Sequence, residues 1–429
     1  MSAARKVLVV GGGGREHAIV RALLRSPQNP EVIAAPGNAG IASDRIRCID
    51  ASAGNVEGIV GVAADEGCDL VVVGPEAPLV DGVIDALAEK GITGFGPTAA
   101  AARLEGSKSF AKELMQDVGV PTAAHVVAET RQEAEEHLAN ASYPIVLKAD
   151  VLAAGKGVII CETEDDARAA LKTFFDDRRF GATEVVLEEY LVGEELSLLA
   201  LCDGEQAVPL APAQDYKRIG EGDEGPNTGG MGSYSPVPGF DNGHAKALAR
   251  AVHQPIVDEM RRRGTPYHGV LYAGLMITED GPKVLEFNCR FGDPETQAVL
   301  PRLRSDLLDL LDRSTRVGGL AGVAPEWSPD WAVTVVLASR GYPESSSKGD
   351  EIAGLGTIDR LDTEIFHAGT AEAGGKFVTA GGRVLNVTGI GSSPGEARDR
   401  AYDAAEKIQF DGKQMRRDIA ARAVERVGV

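Results

Sequence analysis

The chain reads as a multidomain α/β and α+β protein. An N-terminal doubly wound parallel-sheet domain is followed by a small lid, a largely antiparallel central sheet and a C-terminal α/β domain. Three observations predict this order. The first hundred residues alternate short apolar runs with helical stretches, the rhythm of an open sheet covered on both faces. A compact alternation of β and α pieces follows to about residue 190, and the apolar runs at 196–201, 272–277 and 283–287 then suggest an antiparallel sheet. At 429 residues the chain is long enough for two to four domains.

Taken in order, residues 7–10, 32–35 and 70–73 are wholly apolar and predict buried parallel strands, with a fourth at Gly94–Phe95. Residues 15–25 and 56–66 carry the helical period expected of crossovers. Lys108–Val118 predicts a helix that Gly119 and Pro121 end. In the lid, strands are expected at 124–127, 145–148, 158–160 and 185–189, with helices near 131–139 and 165–174. Toward the C-terminus, strands are expected at 331–338, 365–368 and 383–390, and a helix at 394–408. No internal repeat or low-complexity tract interrupts the pattern.

Composition narrows the function. The net charge of −20 disfavours nonspecific nucleic-acid binding, which needs a basic surface. A dispersed acidic surface is compatible with solubility in concentrated salt. No apolar run is long enough for a membrane span, and the N-terminus lacks a signal-peptide pattern, so a cytoplasmic protein is expected. The five cysteines are scattered with no C-x-x-C pair, which disfavours zinc and disulfides.

The densest chemical signal is the run Val284-Leu-Glu-Phe-Asn-Cys-Arg-Phe-Gly-Asp-Pro-Glu-Thr296. On a strand, Glu286 and Asn288 leave the same face, and Arg290 continues it. A carboxylate and an amide oxygen together suit Mg²⁺, a hard ion that commonly shares its shell with nucleotide phosphates. The alternative is an amphipathic strand with solvated polar residues. Lys148 ends an apolar strand and Lys108 opens a helix, and both suit an anionic partner. Lys156 stands at the tip of the small-residue loop Ala153-Ala-Gly-Lys-Gly-Val158, which can fold over phosphates. In Val185-Val-Leu-Glu-Glu-Tyr-Leu-Val-Gly-Glu-Glu-Leu-Ser197, backbone groups near Glu189 and Leu191 can read an adenine edge, and Glu194 or Glu195 can accept from ribose hydroxyls.

The glycine cluster Val10-Gly-Gly-Gly-Gly-Arg-Glu-His17 joins a strand to a helix, where backbone N–H groups collect anions. A dinucleotide site is disfavoured. Glu16 stands where the third glycine of G-x-G-x-x-G belongs, and the second strand ends Ala34-Ala35-Pro36 without an acid for a ribose diol. A single phosphate is the better expectation, with a ligand-free turn as the alternative. Asn38 and Glu76 lie on loops at the same sheet edge, suited to a phosphate and to sugar hydroxyls. His17 is the one histidine placed to touch such a ligand. Gln214-Asp-Tyr-Lys-Arg218 and Gly225-Pro-Asn-Thr-Gly-Gly-Met-Gly232 add charge and close-approaching backbone.

These segments, in this order and over essentially the whole chain, resemble the phosphoribosylamine–glycine ligases (glycinamide ribonucleotide synthetases) of the ATP-grasp superfamily. Gly-Pro-Asn-Thr-Gly-Gly-Met-Gly232 and Leu-Glu-Phe-Asn-Cys-Arg-Phe-Gly-Asp-Pro-Glu-Thr-Gln297 carry the resemblance to these ligases in particular. Val151 and Tyr216 depart from it, standing where the family usually has glycine and histidine. The resemblance implies an ATP-grasp fold with an N-terminal domain at 1–106, a connecting helix at 107–120, a lid at 121–192, a central domain at 193–325 and a C-terminal domain at 326–429. It implies ATP as cofactor with Mg²⁺ or Mn²⁺ on Glu286 and Asn288. Lys108, Lys148 and Lys156 would hold its phosphates, with Glu188 and the Leu191 backbone on adenine and Glu194 or Glu195 on ribose. Lys148 and Arg290 would stabilise the reacting charge. Gly13, Asn38 and Glu76 would bind 5-phosphoribosylamine, and Asp215, Asn227 and Asp293 would lie by glycine. A monomer, or at most a weak dimer, is expected. A related ligase with another acid or amine, a nucleotide-binding regulator and an NAD-dependent oxidoreductase are the rivals; the missing third glycine and ribose acid weigh against the last.

Overall fold

The computed structural model describes residues 4–152 and 157–428. The N-terminal sheet has five parallel strands in the order Arg47–Cys48, Glu31–Pro36, Lys6–Gly11, Leu70–Val73 and Gly94–Phe95. Val7, Leu8, Val9 and Val10 are all buried, as residues covered on both faces must be. The strand order reverses direction at Lys6–Gly11, so the loops after it and after Leu70–Val73 face each other at the carboxyl edge. In open α/β sheets, that switch point is where ligands bind.

The lid is a four-stranded antiparallel sheet ordered His125–Ala128, Val185–Glu189, Ile145–Ala149 and Val158–Cys161. Helices Arg131–Leu138 and Glu164–Leu171 close a separate small core around Leu147, Leu171, Phe174 and Leu187. The helix expected to reach residue 174 ends earlier and continues as a π turn, Lys172–Asp176.

The central sheet runs Ala207–Pro209, Glu194–Asp203, His268–Thr278 and Gly281–Asn288, all antiparallel. Its register slips between Gly274 and Leu275, so Gly274 faces Glu286 while Leu275 faces Val284. This bulge has a use. Strict alternation would put Val284 and Glu286 in the same environment, whereas Val284 is fully buried and Glu286 turns into the cleft. Helix Asn242–Arg262, which sequence periodicity did not anticipate, packs on this sheet through Val252, Ile256, Val257 and Met260.

The C-terminal sheet is ordered Gln214–Asp215, Gly232–Ser235, Trp331–Ala338, Arg383–Gly391 and Thr363–His367. Its first two strands come from before residue 326, so the central and C-terminal units share backbone pairing. All five cysteines are free. Among the described residues no helix is long and apolar enough to cross a membrane.

Candidate active site

Four elements converge on a charged cleft between the lid and the central sheet. Lys148, near the end of strand Ile145–Ala149, is buried and places its Nζ 2.8 Å from Glu188 Oε2 while donating to the Leu285 carbonyl at 3.1 Å. Lys112 brings a second ammonium to Glu188 at 3.1 Å and also donates to Thr122 Oγ1. Burial pulls the Lys112 ammonium down to about 8, against the opposing pull of Glu188. Glu188 was expected at the adenine edge. Its carboxylate instead lies between two lysines, because the alternation of strand Val185–Glu189 turns it toward Lys148 on the neighbouring strand. Leu191 follows this strand and is buried.

Lys108 opens its helix with Nζ on the Val151 carbonyl at 2.9 Å. Asp150 caps that helix from the lid, accepting from the Lys108 and Ser109 amides and from the Ser107 and Ser109 hydroxyls. A carboxylate over a helix N-terminus is favourable through both hydrogen bonds and dipole. Lys156 lies outside the described residues.

Glu286 faces these lysines. Burial raises its carboxyl, but Lys217, Lys148, Lys108 and Arg290 together hold it down at about 2. Lys217 is 3.1 Å from Glu195 and 3.6 Å from Glu286, and these acids outweigh burial to push its ammonium well above the usual lysine range. The sequence points to Asp215 in this segment rather than to Lys217. Alternation along the extended segment that follows strand Gln214–Asp215 sends Asp215 and Lys217 to the cleft and Tyr216 away, where its hydroxyl accepts from the Ala420 amide under the Arg416 guanidinium. Burial first, then Glu295, Glu195 and Glu286, push the Asp215 carboxyl well above its ordinary range despite Lys217. Ser197 joins this group with its Oγ 3.1 Å from Glu295, 2.9 Å from Tyr272 and 3.5 Å from Asp215. Glu195 thus lies in the cleft, whereas Glu194 on the opposite strand face is bound by Arg426.

Glu286 and Asn288 present hard oxygens two residues apart, and Asn288 Oδ1 accepts from Arg290 Nη2 at 3.2 Å. Among the described residues no three His, Cys, Asp or Glu side chains form a metal cage. A two-residue donor set fits an ion that completes its shell with phosphate oxygens. Arg290 spans the domain boundary, 3.3 Å from Glu76 and 3.4 Å from Glu105, so Glu76 meets a guanidinium at the place where sugar hydroxyls were expected. Glu105 was not anticipated.

The first glycine loop is shaped largely from within. The Gly13 amide donates to Glu16 Oε2 at 2.6 Å, and Arg15 pairs with the other oxygen at 2.6 Å. Glu16 fills the space a Cβ on Gly11 or Gly74 would need, which is why a residue in place of the third glycine is tolerated here. Asn38 does not present its amide to a ligand: Oδ1 caps Ile41 at 2.9 Å while Nδ2 donates to the Gly12 and His367 carbonyls. His17 likewise faces the protein, bonded to Asp44 and to the His367 amide. Asp293 lies beside Gly13, held by Arg383 at 3.0 Å and Gln297 at 2.7 Å. Asn227 ends a short hairpin strand from which the loop runs to Gly232, and Thr228 in that loop bonds the Lys217 carbonyl through its amide and hydroxyl.

Three family models tile this architecture: the N, ATP-grasp (A) and C domains of phosphoribosylglycinamide synthetase match residues 5–105, 106–296 and 332–422. The chain belongs to the phosphoribosylglycinamide synthetase family. Relatives named phosphoribosylamine–glycine ligase include that of Streptomyces coelicolor, 51% identical across 97% of this chain and 99% of the relative, and that of Rhizobium meliloti, 48% identical across 98% and 99%. The crystal structure of phosphoribosylamine–glycine ligase from Thermotoga maritima superposes with a TM-score of 0.83 at 37% identity, covering 97% of this chain and all of that one. The biotin carboxylase domain of a Hydrogenobacter thermophilus 2-oxoglutarate carboxylase, solved with magnesium ADP, shares the fold alone, with a TM-score of 0.73 at 18% identity over 96% and 91% of the two chains. The family's ATP-grasp fold implies ATP with a divalent metal, and the cleft lies between that fold's lid and central sheets.

Proposed function

We propose that this chain ligates glycine to 5-phosphoribosylamine with ATP, giving glycinamide ribonucleotide, ADP and phosphate through a glycyl phosphate. The observation that carries this reading is the convergence of Glu286, Lys217, Lys148, Lys108 and Arg290 on one cleft, in a family whose members include phosphoribosylamine–glycine ligases. A carboxylate does not acylate an amine at neutral pH because its leaving group is poor. Phosphorylating it supplies a good one, and the chain's task is then to position the reactants and neutralise charge.

Lys108, Lys148 and Lys156 hold the phosphates. Glu286 and Asn288 would hold Mg²⁺ or Mn²⁺, which would supply further charge neutralisation when bound. The Leu191 backbone reads adenine, and Glu188 acts on the nucleotide by orienting Lys148. Glu195 rather than Glu194 takes the ribose, since Glu195 faces the cleft beside Lys217 whereas Glu194 lies on the opposite strand face with Arg426. Asp215, Asn227 and Asp293 surround glycine. The ribosylamine lies at the N-terminal sheet edge by Gly13 and Glu76, with Asn38 shaping the loop. Lid closure keeps water from the acyl phosphate.

The test is ADP release from the purified protein with glycine and freshly made phosphoribosylamine, each omitted in turn. ADP is expected only with both present. Equal turnover with another amino acid in place of glycine would overturn the assignment.

A further inference from the structure

Glu105 lies in the last turn of the helix Ala99–Gly106, just before Lys108, on the N-terminal side of the cleft. Its carboxylate is buried, with 8% side-chain exposure, and contacts the short stretch that follows the central strand Gly281–Asn288. Oε2 accepts from the Cys289 amide at 2.6 Å, and Oε1 lies 3.4 Å from Arg290 Nη2. Cys289 stands between Asn288 and Arg290 and is buried, with its amide donating to Glu105 and its thiol beside the same carboxylate. The same Arg290 Nη2 donates to Asn288 Oδ1, one of the two oxygens suited to the metal.

The charges around this contact are unequal. Arg290 meets Glu76 through Nε and Glu105 through Nη2, so Glu105 is the carboxylate that competes with Asn288 for the same nitrogen. Removing its charge leaves that nitrogen to Asn288 and brings a less compensated guanidinium beside an incoming divalent cation. A buried ion pair that loses one partner is costly because the remaining charge has no water to turn to. Groups that orient a metal's ligands typically matter by roughly 10–100-fold in metal affinity or activity.

We propose that Glu105 is a positioning residue for the metal–nucleotide centre, setting Asn288 and Arg290 from across the domain boundary. This rests on the function proposed above, and the experiment separates the two. In the wild-type protein, failure of ADP release to require glycine and ribosylamine sinks the function; the behaviour of Glu105→Gln decides the positioning role. Glutamine keeps an acceptor for the Cys289 amide and removes the charge facing Arg290.

Affinity for Mn²⁺ with a non-hydrolysable ATP analogue is measured by titration calorimetry, alongside kcat, the glycine KM and the metal concentration for half-activation. Glu105→Gln is expected to weaken metal–nucleotide binding and raise the half-activating metal concentration by about 10–100-fold, with the glycine KM within about threefold. Combined with Arg290→Lys, it is expected to cost far less than the sum of the two single changes. Wild-type metal–nucleotide affinity in a folded Glu105→Gln protein, or strict additivity with Arg290→Lys, overturns the proposal. Should Glu105→Gln not fold, Glu105→Asp, which keeps the charge but withdraws it by one methylene, is read by the same measurements and the same outcomes.

Discussion

The first glycine loop and the lid-side cleft both offer anion-binding groups, yet they are finished differently. At the loop, the Gly13 amide is taken by Glu16 at 2.6 Å and the Asn38 amide by backbone partners at 2.7–2.9 Å. These short contacts set the shape of the loop before any ligand arrives. In the cleft, four cations hold Glu286 at about 2, yet its ion pair with Lys217 spans 3.6 Å. Among the described residues Glu286 itself is closed off by no short bond, although Lys148 and Lys108 beside it are held by Glu188 at 2.8 Å and by the Val151 carbonyl at 2.9 Å. A ligand at the sheet edge would meet preset geometry and one in the cleft preset potential, which suits the phosphoryl transfer proposed above.

The sharpest way to break this contrast is Glu286→Ala. Loss of one charge-stabilising group typically costs about 10²–10³ in rate, and because Glu286 serves the cleft rather than the core, the circular dichroism spectrum and melting temperature should change little. Rates within tenfold of wild type would show that the cleft potential is not used.

Acid should act instead on the preset side. Burial first, then His17, Arg21 and Arg360, hold the His367 imidazole down from 6.5 to about 3, and its carbonyl anchors Asn38. The unfolded chain takes up that proton near 6.5 and the folded one only near 3, so this contribution to stability is complete above about 6.5 and lost as pH falls toward 3. On the order of 2–4 kcal/mol is at stake. Denaturant titrations between pH 7 and pH 4 should show a steeper loss for wild type than for His367→Gln; parallel curves would remove His367 from the account.

The smallest expected effect is that of Glu16→Gln, which keeps an acceptor for Gly13 but leaves buried Arg15 less compensated. A loss of roughly 1–3 kcal/mol is expected in urea unfolding, with metal–nucleotide affinity unchanged. A weakened nucleotide affinity would mean that the two regions are not separate.

Much of the fold was legible because burial leaves a local trace. The apolar runs at the parallel strands and the period of residues 394–408 match the strands and the helix Pro394–Lys407 that form there. Helix Asn242–Arg262 was missed although Ala245, Ala249, Val252, Ile256 and Met260 are spaced for one face; Pro255 in its interior and its polar remainder masked the signal. At the site, residue type and alternation pointed to Glu286, Asn288, Lys108 and Lys148. They did not reveal Lys217, Glu105 or the occupation of Asn38, since each depends on which distant group lies within bonding distance.

By itself the chain's order of residues determined the layered α/β plan, the cleft's chemical inventory and the kinship written in its glycine- and asparagine-rich motifs. Periodicity and residue chemistry are local properties, and they survive in a one-dimensional record. Tertiary structure alone decided that Arg290 lies between Glu76 and Glu105, that Glu188 holds two lysines, and that Glu194 and Glu195 serve opposite faces. Those pairings join residues far apart in the chain, and Coulombic and hydrogen-bond energies depend on distances that only folding sets.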